Sequence, residues 1–326
     1  MDDAKKVLVV GGAGYVGGTL VDQLRSAGFS PTVYDILAYE DRFLKNVNFV
    51  YGDVRDREKL LRLLPDYDIV VWLAAVVGDG ACAADPFLSE SINEISVKWL
   101  VDNYGGRIIF PSTCSVYGVN NDLIDECTTP NPLSVYAKTK LAAEQYMLDV
   151  AGERSLVFRL GTLYGIGDAH SRLRLDLVVN ILTKRAVQGE TLRVCGGEQW
   201  RPLIHVQDVA REMVFGAYNE ITGLYNLATQ NSTIREIAEE VSAVVPECKV
   251  EYTEGKFEDL RNYRVNCDRW KSTASSCGVL LSRWGWALRQ GILQVAQVIK
   301  ENRIKNPQDP IYSNEAHIQA LYRKWP

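Results

Sequence analysis

The chain has 326 residues, 47% of them hydrophobic, and a formal net charge of -5. That length supports one or two domains with a sizeable core, and the mildly acidic balance gives no footing for nucleic acid or an anionic membrane surface. Seven scattered cysteines without a C-x-x-C, and three dispersed histidines, argue for a reducing compartment and against a structural metal. No apolar run reaches membrane-spanning length. The opening M-D-D-A-K-K has no signal-peptide pattern, so a cytoplasmic location is expected.

Residues 6–10 form a short apolar strand. The run G-G-A-G-Y-V-G follows, then a helical stretch over about 15–27, then a strand ending at Asp35. This order makes a βαβ unit. Gly11 permits a tight turn, Gly14 lets the backbone approach a pyrophosphate, and Gly17 lets helix pack closely on strand; Tyr15 and Val16 open the helix whose N–H groups face the phosphates. Asp35 lies 24 residues beyond Gly11, where a carboxylate accepts both ribose hydroxyls of NAD and repels a 2'-phosphate. NAD is therefore the expected cofactor, in preference to NADP.

The alternation continues with a strand over 47–51 and a helix over 57–64. Asp53 and Val54, at a strand end, are placed to flank an adenine ring. D-I-V-V-W-L-A-A-V-V, residues 68–77, reads as one fully buried parallel strand. Leu73, Ala74, Ala75 and Val76 at its tip are small enough, in the main, for a cofactor to pass closely; the plainer reading is a packed strand end. A helix over 89–103 and a strand over 106–113 follow, the latter ending in Ser112 and Thr113, at the edge where open α/β sheets bind ligands.

P-L-S-V-Y-A-K-T-K-L-A-A-E-Q-Y, residues 132–146, reads as a helix with Tyr136 and Lys140 one turn apart on one face. A bare Y-x-x-x-K is common on surfaces; its weight here comes from following a hydroxyl-tipped strand in a dinucleotide-binding unit. Oxidising an alcohol removes a proton and a hydride. Tyr136 as phenolate takes the proton, with Lys140 and the positive nicotinamide stabilising the anion, because a free phenol titrates too high to serve at neutral pH. Thr113 orients the reacting oxygen. Ser112 stands behind it.

These pieces, with G-D-V-R-D, S-T-C-S-V-Y-G, R-L-G-T-L-Y-G and L-I-H-V-Q-D-V-A, resemble the extended short-chain dehydrogenase/reductase superfamily, and within it the NAD-dependent nucleotide-sugar epimerase/dehydratase group. The resemblance spans residues 7–210. It implies an α/β fold: a Rossmann-type parallel sheet with helices on both faces, plus a smaller mixed α/β substrate domain. It also implies tightly held NAD, a nucleotide-diphosphate sugar as substrate, and a homodimer formed by helices that include the one bearing Tyr136. Three departures stand out. Cys114 and Ser115 follow Thr113 where the sugar 4,6-dehydratases carry acids. Thr162 replaces a common Asn. The pieces A-A-V-V-G-D, R-L-R-L-D-L-V-V-N and R-N-Y-R-V-N are similar to a narrower GDP-heptose 4-dehydrogenase subset.

From about 166 the rhythm loosens, with a helix over 175–188, a strand over 190–195, a return to the first domain near 204, a strand at 226–228 and a small C-terminal region. The expected division is 1–165 and 202–229 for NAD, 166–201 and 230–310 for the substrate, and 311–326 as a tail against the body or another subunit. Arginine suits planar contacts to phosphate. Arg201 and Arg261 match family positions that reach the substrate diphosphate or nucleotide; Arg172 and Arg174 sit in the subset signature. For each of them a solvated or salt-bridged surface role is the competing reading. Thr162 borders the same pocket, and Asn180, an amide in an apolar helix, needs a partner that a substrate diphosphate would provide. His205 and Asp208 fit a structural crossover better than a site. Residues 268–290 are longer than the resemblance leads one to expect. The leading function is a nucleotide-sugar epimerase working through a transient 4-keto sugar. The alternatives are a 4-dehydrogenase or 4-ketoreductase with net redox change, and a non-catalytic nucleotide-binding protein.

Overall fold

The computed structural model describes residues 4–40, 43–168, 170–254, 262–278 and 285–324. Seven parallel strands form the main sheet: β1 (Lys6–Val10), β2 (Ser30–Asp35), β3 (Asn48–Tyr51), β4 (Ile69–Trp72), β5 (Arg107–Thr113), β7 (Ser155–Leu160) and β11 (Gly223–Leu227), in the order β11-β7-β5-β4-β1-β2-β3. The order reverses between β1 and β4, the crevice where ligands bind in such sheets. Smaller sheets take the remaining strands. β8 (Thr162–Tyr164), β10 (Trp200–His205) and β12 (Gln230–Thr233) form one; β9 (Leu192–Cys195) pairs with β13 (Val250–Thr253), and β6 (Val119–Ile124) with β14 (Asn262–Val265). The Rossmann-type sheet with a smaller mixed assembly beside it is the fold class expected from sequence.

Alternation along the strands explains the layers. Val7 and Val9 of β1 face one core, with Leu20, Val21 and Leu24 of α1 (Tyr15–Ser26) and Met213 of α8 (Val206–Tyr218). Leu8 and Val10 face the other, with Leu60 of α2 (Arg57–Leu63), Leu100 of α5 (Ser96–Asn103) and Met147 of α6 (Val135–Ala151). Both faces are covered, so the strands are apolar throughout. A third core joins α7 (Val178–Val187), α9 (Ile234–Val244) and α11 (Leu288–Lys300) through Val179, Ile237 and Ile292.

Several elements end earlier than their sequence pattern suggests. β4 stops at Trp72 because the N–H groups of Leu73 and Ala74 both turn onto the Val10 carbonyl, at 2.7 and 3.0 Å. The apolar run beyond it becomes a wall. Next come α3 (Asp79–Ala84) and α4 (Pro86–Glu90), and the helix expected over 89–103 is interrupted by a π-turn at Ser91–Ile95. That turn aims Asn93 inward: its Oδ1 accepts from Val76 N at 2.8 Å and its Nδ2 donates to Val76 O at 2.9 Å. α6 begins at Val135, capped by Ser134, whose Oγ accepts from Ala137 N at 3.1 Å.

Within the stretch 268–290, of which 279–284 lie outside the described residues, two tryptophans have packing partners. In α10 (Asp268–Ser276), Trp270 is fully buried, edge-on to Phe158 at 4.7 Å, with its indole N–H on Glu212 at 2.9 Å. Trp286 stacks on His205 at 4.8 Å and donates its N–H to Asp208 at 2.8 Å. Both tryptophans fasten the C-terminal half onto α8 and β11 neighbours. A final helix, α12 (Asn314–Lys324), follows. Among the described residues no helix is long and apolar enough to cross a membrane.

Candidate active site

A cavity of about 880 Å³ opens at the C-terminal edge of the main sheet, over the crevice between β1 and β4. Its floor is the glycine turn. Gly11 has φ +83°, and a Cβ there would lie 2.5 Å from Ala74 N; a Cβ on Gly17 would lie 2.6 Å from Gly12 Cα. Only glycine fits either place, and the turn leaves Ala13, Gly14, Tyr15 and Val16 along the cavity. Asp35 closes one end. Its carboxylate accepts from Ala13 N at 2.9 Å and Leu37 N at 2.7 Å, and Leu37 adopts φ +55° in making that return. Burial pushes the Asp35 carboxyl up from its ordinary value, against these N–H donors. Asp53 and Val54 line the same end, where Arg55 engages the Asp53 carboxylate at 2.6 Å and holds it below its usual range. The residues present fit a dinucleotide: a cradle that any side chain would fill, a buried carboxylate at one end, and a buried Ser112 Oγ with no partner among the described residues.

Thr113, Tyr136 and Lys140 meet at the other end. Thr113 Oγ1 accepts from Ser115 N at 3.1 Å. Burial raises the Tyr136 phenol well above its normal value; Arg174 and the neighbouring Thr113 side chain pull the other way. Lys140 is buried, with Nζ 3.8 Å above the Phe110 ring, and burial brings it down to about 7 although Glu144, one turn on, opposes that shift. Glu144 is itself committed to Arg159, Nη2 to Oε1 at 2.5 Å, and Arg159 also donates to Tyr117 OH at 2.7 Å.

The two positions after Thr113 diverge. Cys114 is fully buried and aims its thiol at Arg159 O, 3.2 Å away. Ser115 lines the cavity with its Oγ 3.4 Å from Tyr263 OH.

Thr162, Arg172, Arg174 and Arg201 also line the cavity. Arg174 is bidentate on Asp176, at 3.0 and 2.9 Å. Asn180 does not reach the cavity. It is fully buried; its Oδ1 accepts from Gly165 N at 2.9 Å and its Nδ2 donates to Arg174 O at 2.8 Å. Its shortest bonds are thus to backbone groups, with Tyr15 OH a further partner at 3.5 Å, and it braces the segment that carries Arg174. Tyr15 shares that brace by donating to Gly165 O at 2.6 Å. Arg261 lies outside the described residues. Sequence reasoning missed Ser115 and Tyr263 as cavity residues, Asn93 behind the wall, and Asn314 and His317 from the C-terminal segment. An Asn within a helix following the β4 wall was the one readable signal among these. Among the described residues no cluster of side chains suits a metal ion.

The sequence model of the "NAD dependent epimerase/dehydratase family" matches residues 7–228. The UDP-glucose 4-epimerase of Rhizobium meliloti (strain 1021) is 27% identical over 319 residues, covering 87% of this chain and 97% of that protein. The crystal structure of the UDP-glucose 4-epimerase of Brucella ovis in complex with NAD aligns with a TM-score of 0.76 and 25% identity, over 91% of this chain and 99% of that one. The structure of MoeE5 in complex with UDP-glucuronic acid and NAD aligns over the same shares, again with a TM-score of 0.76 and 25% identity.

Proposed function

The chain belongs to the NAD-dependent epimerase/dehydratase family, and we propose that it inverts a nucleotide sugar at C4 through a transient 4-keto sugar, with NAD as its cofactor. The observation that carries this reading is the convergence of Thr113, Tyr136 and Lys140 on one cavity with the glycine cradle, while Cys114 is turned away from it.

The residues divide the work as follows. The cradle and Asp35 hold the dinucleotide's diphosphate and ribose. NAD, when bound, supplies a hydride acceptor that becomes the donor in the return step, so no external oxidant is consumed. Thr113 holds the sugar oxygen in place. Tyr136 receives the hydroxyl proton at its phenolic oxygen and gives it back when the ketone is reduced from the opposite face. Lys140, when charged, lowers the cost of the phenolate. Arg174 and Arg201, with Thr162 between the two halves, supply contacts for the substrate's diphosphate. Ser115, beside Tyr263, offers hydroxyls where a dehydratase would carry an acid. A substrate region over 166–201 and 230–310, and a homodimer through the outer faces of α5 and α6, complete the proposal; light scattering tests the latter.

A second reading, net oxidation or reduction at C4, draws support from Arg172 and Arg174. The segment that resembles the dehydrogenase subset delivers both to the cavity. Incubation with UDP-, GDP- and dTDP-sugars decides between the two. A product of unchanged mass and altered stereochemistry supports the epimerase; a product differing by two hydrogens sinks it in favour of net redox chemistry.

A further inference from the structure

The segment after Asp309 is a wall of the cavity. Ser313, Asn314, Glu315, His317 and Ile318 line it. The segment is tied down along its length. Arg172 Nη2 donates to Ile311 O at 3.1 Å, Leu175 N to Tyr312 O at 2.9 Å, and Asn314 N to Asp176 Oδ2 at 3.0 Å. Asn314 Nδ2 then donates to Val77 O at 2.7 Å, and His317 Nε2 to Ala38 O at 2.7 Å. Val77 follows β4 and Ala38 follows β2. The segment therefore spans the glycine turn from one flanking strand tip to the other.

Two buried polar atoms, one on a residue that ties this span down and one on the span itself, have no partner among the described residues: Arg172 Nε and Asn314 Oδ1. Their residues are only 6% and 3% exposed, and both line the cavity. A buried donor and a buried acceptor left unpaired are each costly, and one such pair on residues that line one cavity calls for a ligand that presents the complement of both. The Arg172 guanidinium lies 3.5 Å over the Tyr39 ring, and its Nη2 is on Ile311 O. A guanidinium N–H suits an anionic oxygen, and an amide oxygen suits a hydroxyl.

We propose that Arg172 and Asn314 form a clasp for a ribosyl diphosphate, with Nε donating to a phosphate oxygen and Oδ1 accepting from a ribose hydroxyl, beneath the 310–318 segment. This rests on the functional reading above, and both NAD and a nucleotide sugar carry that group.

The test uses the full-length protein with Asn314→Ala and, separately, Arg172→Lys, which keeps the charge and removes Nε. Two quantities are measured: the rate at which bound dinucleotide is lost on dilution, and the affinity for UDP and GDP by calorimetry. Thermal unfolding of ligand-free protein controls for a merely structural role, and either variant alone suffices if the other does not fold. Dinucleotide loss accelerated about tenfold or more, with ligand-free unfolding unchanged, supports the clasp with the dinucleotide as its source. A similar drop in UDP or GDP affinity with unchanged dinucleotide loss supports it with the nucleotide sugar as source. Wild-type values for both in the two variants overturn the clasp and leave the functional reading intact. An unaltered protein that binds neither class overturns both.

Discussion

Cys114 presents its thiol to the backbone oxygen of Arg159, 3.2 Å away, from a fully buried position immediately after Thr113. The residue next to a candidate catalytic hydroxyl thus belongs to the core. A Cys114→Asp substitution would bury a carboxylate facing a carbonyl oxygen. The expected result is a loss of roughly 3 kcal/mol or more of stability, with no gain of water elimination, whereas Cys114→Ala should cost only about 1 kcal/mol. Thermal unfolding and an assay for 4-keto-6-deoxy product check this. A soluble, stable Asp variant that eliminates water would show the assignment to be wrong.

Replacing Tyr136 with Phe removes the proton acceptor and leaves the packing. Turnover should fall roughly a hundredfold to ten-thousandfold, with the bound dinucleotide retained. Steady-state rates and the dinucleotide content of purified protein are the measurements. Unimpaired turnover would remove Tyr136 from the mechanism.

Asp35 receives two backbone N–H groups at one end of the cradle, where the proposed reading puts a ribose. An Asp35→Ser variant should bind NADH about tenfold more weakly and lose most of its discrimination against NADPH, because the repulsion of a 2'-phosphate goes with the carboxylate. Fluorescence titration with both dinucleotides measures this; an unchanged NADH/NADPH ratio counts against the assignment.

Lys140 gives a pH signature. Burial lowers it to about 7 in the folded chain, against an ordinary value of 10.5. Between those two values the unfolded state holds the proton and the folded state does not, so stability contributed by this group rises with pH across the interval. Below 7 both states are protonated and the charged lysine is buried at a cost on the order of a few kcal/mol. Lys140→Met should therefore raise the unfolding temperature near pH 6.5, with the advantage shrinking toward pH 10. A pH-independent difference would contradict this.

How much of this was legible in the chain follows from range. The glycine turn, Asp35 and the Tyr136–Lys140 pair are local patterns on elements whose periodicity is plain, and the fold brings them to one edge because parallel sheets deliver strand tips together. What escaped is long-range or backbone-directed. Asn314 reaches Val77 across 237 residues, which no spacing announces. Asn180 was rightly read as needing a partner, but backbone groups of Gly165 and Arg174 satisfy it. The apolar run at 68–77 could not reveal that its second half leaves the sheet, since a wall and a strand share the same composition. Trp270 and Trp286 looked like surplus length until their partners on α8 gave them a place.

The isolation of Lys140 has one more consequence. Its neighbour Glu144 is held by Arg159, so little negative charge near the ammonium is left uncommitted. A group titrating near neutrality in such surroundings acts as a gauge for incoming charge. When a diphosphate enters the cavity, its negative field should favour the ammonium form, so that association above pH 7 draws a proton from the buffer. Binding heats for a nucleoside diphosphate at pH 7.5 should then differ between phosphate and Tris in proportion to the buffers' ionisation heats; identical heats would rule out this coupling. In that sense the cavity takes up its ligand as a neutralising pair, anion and proton together.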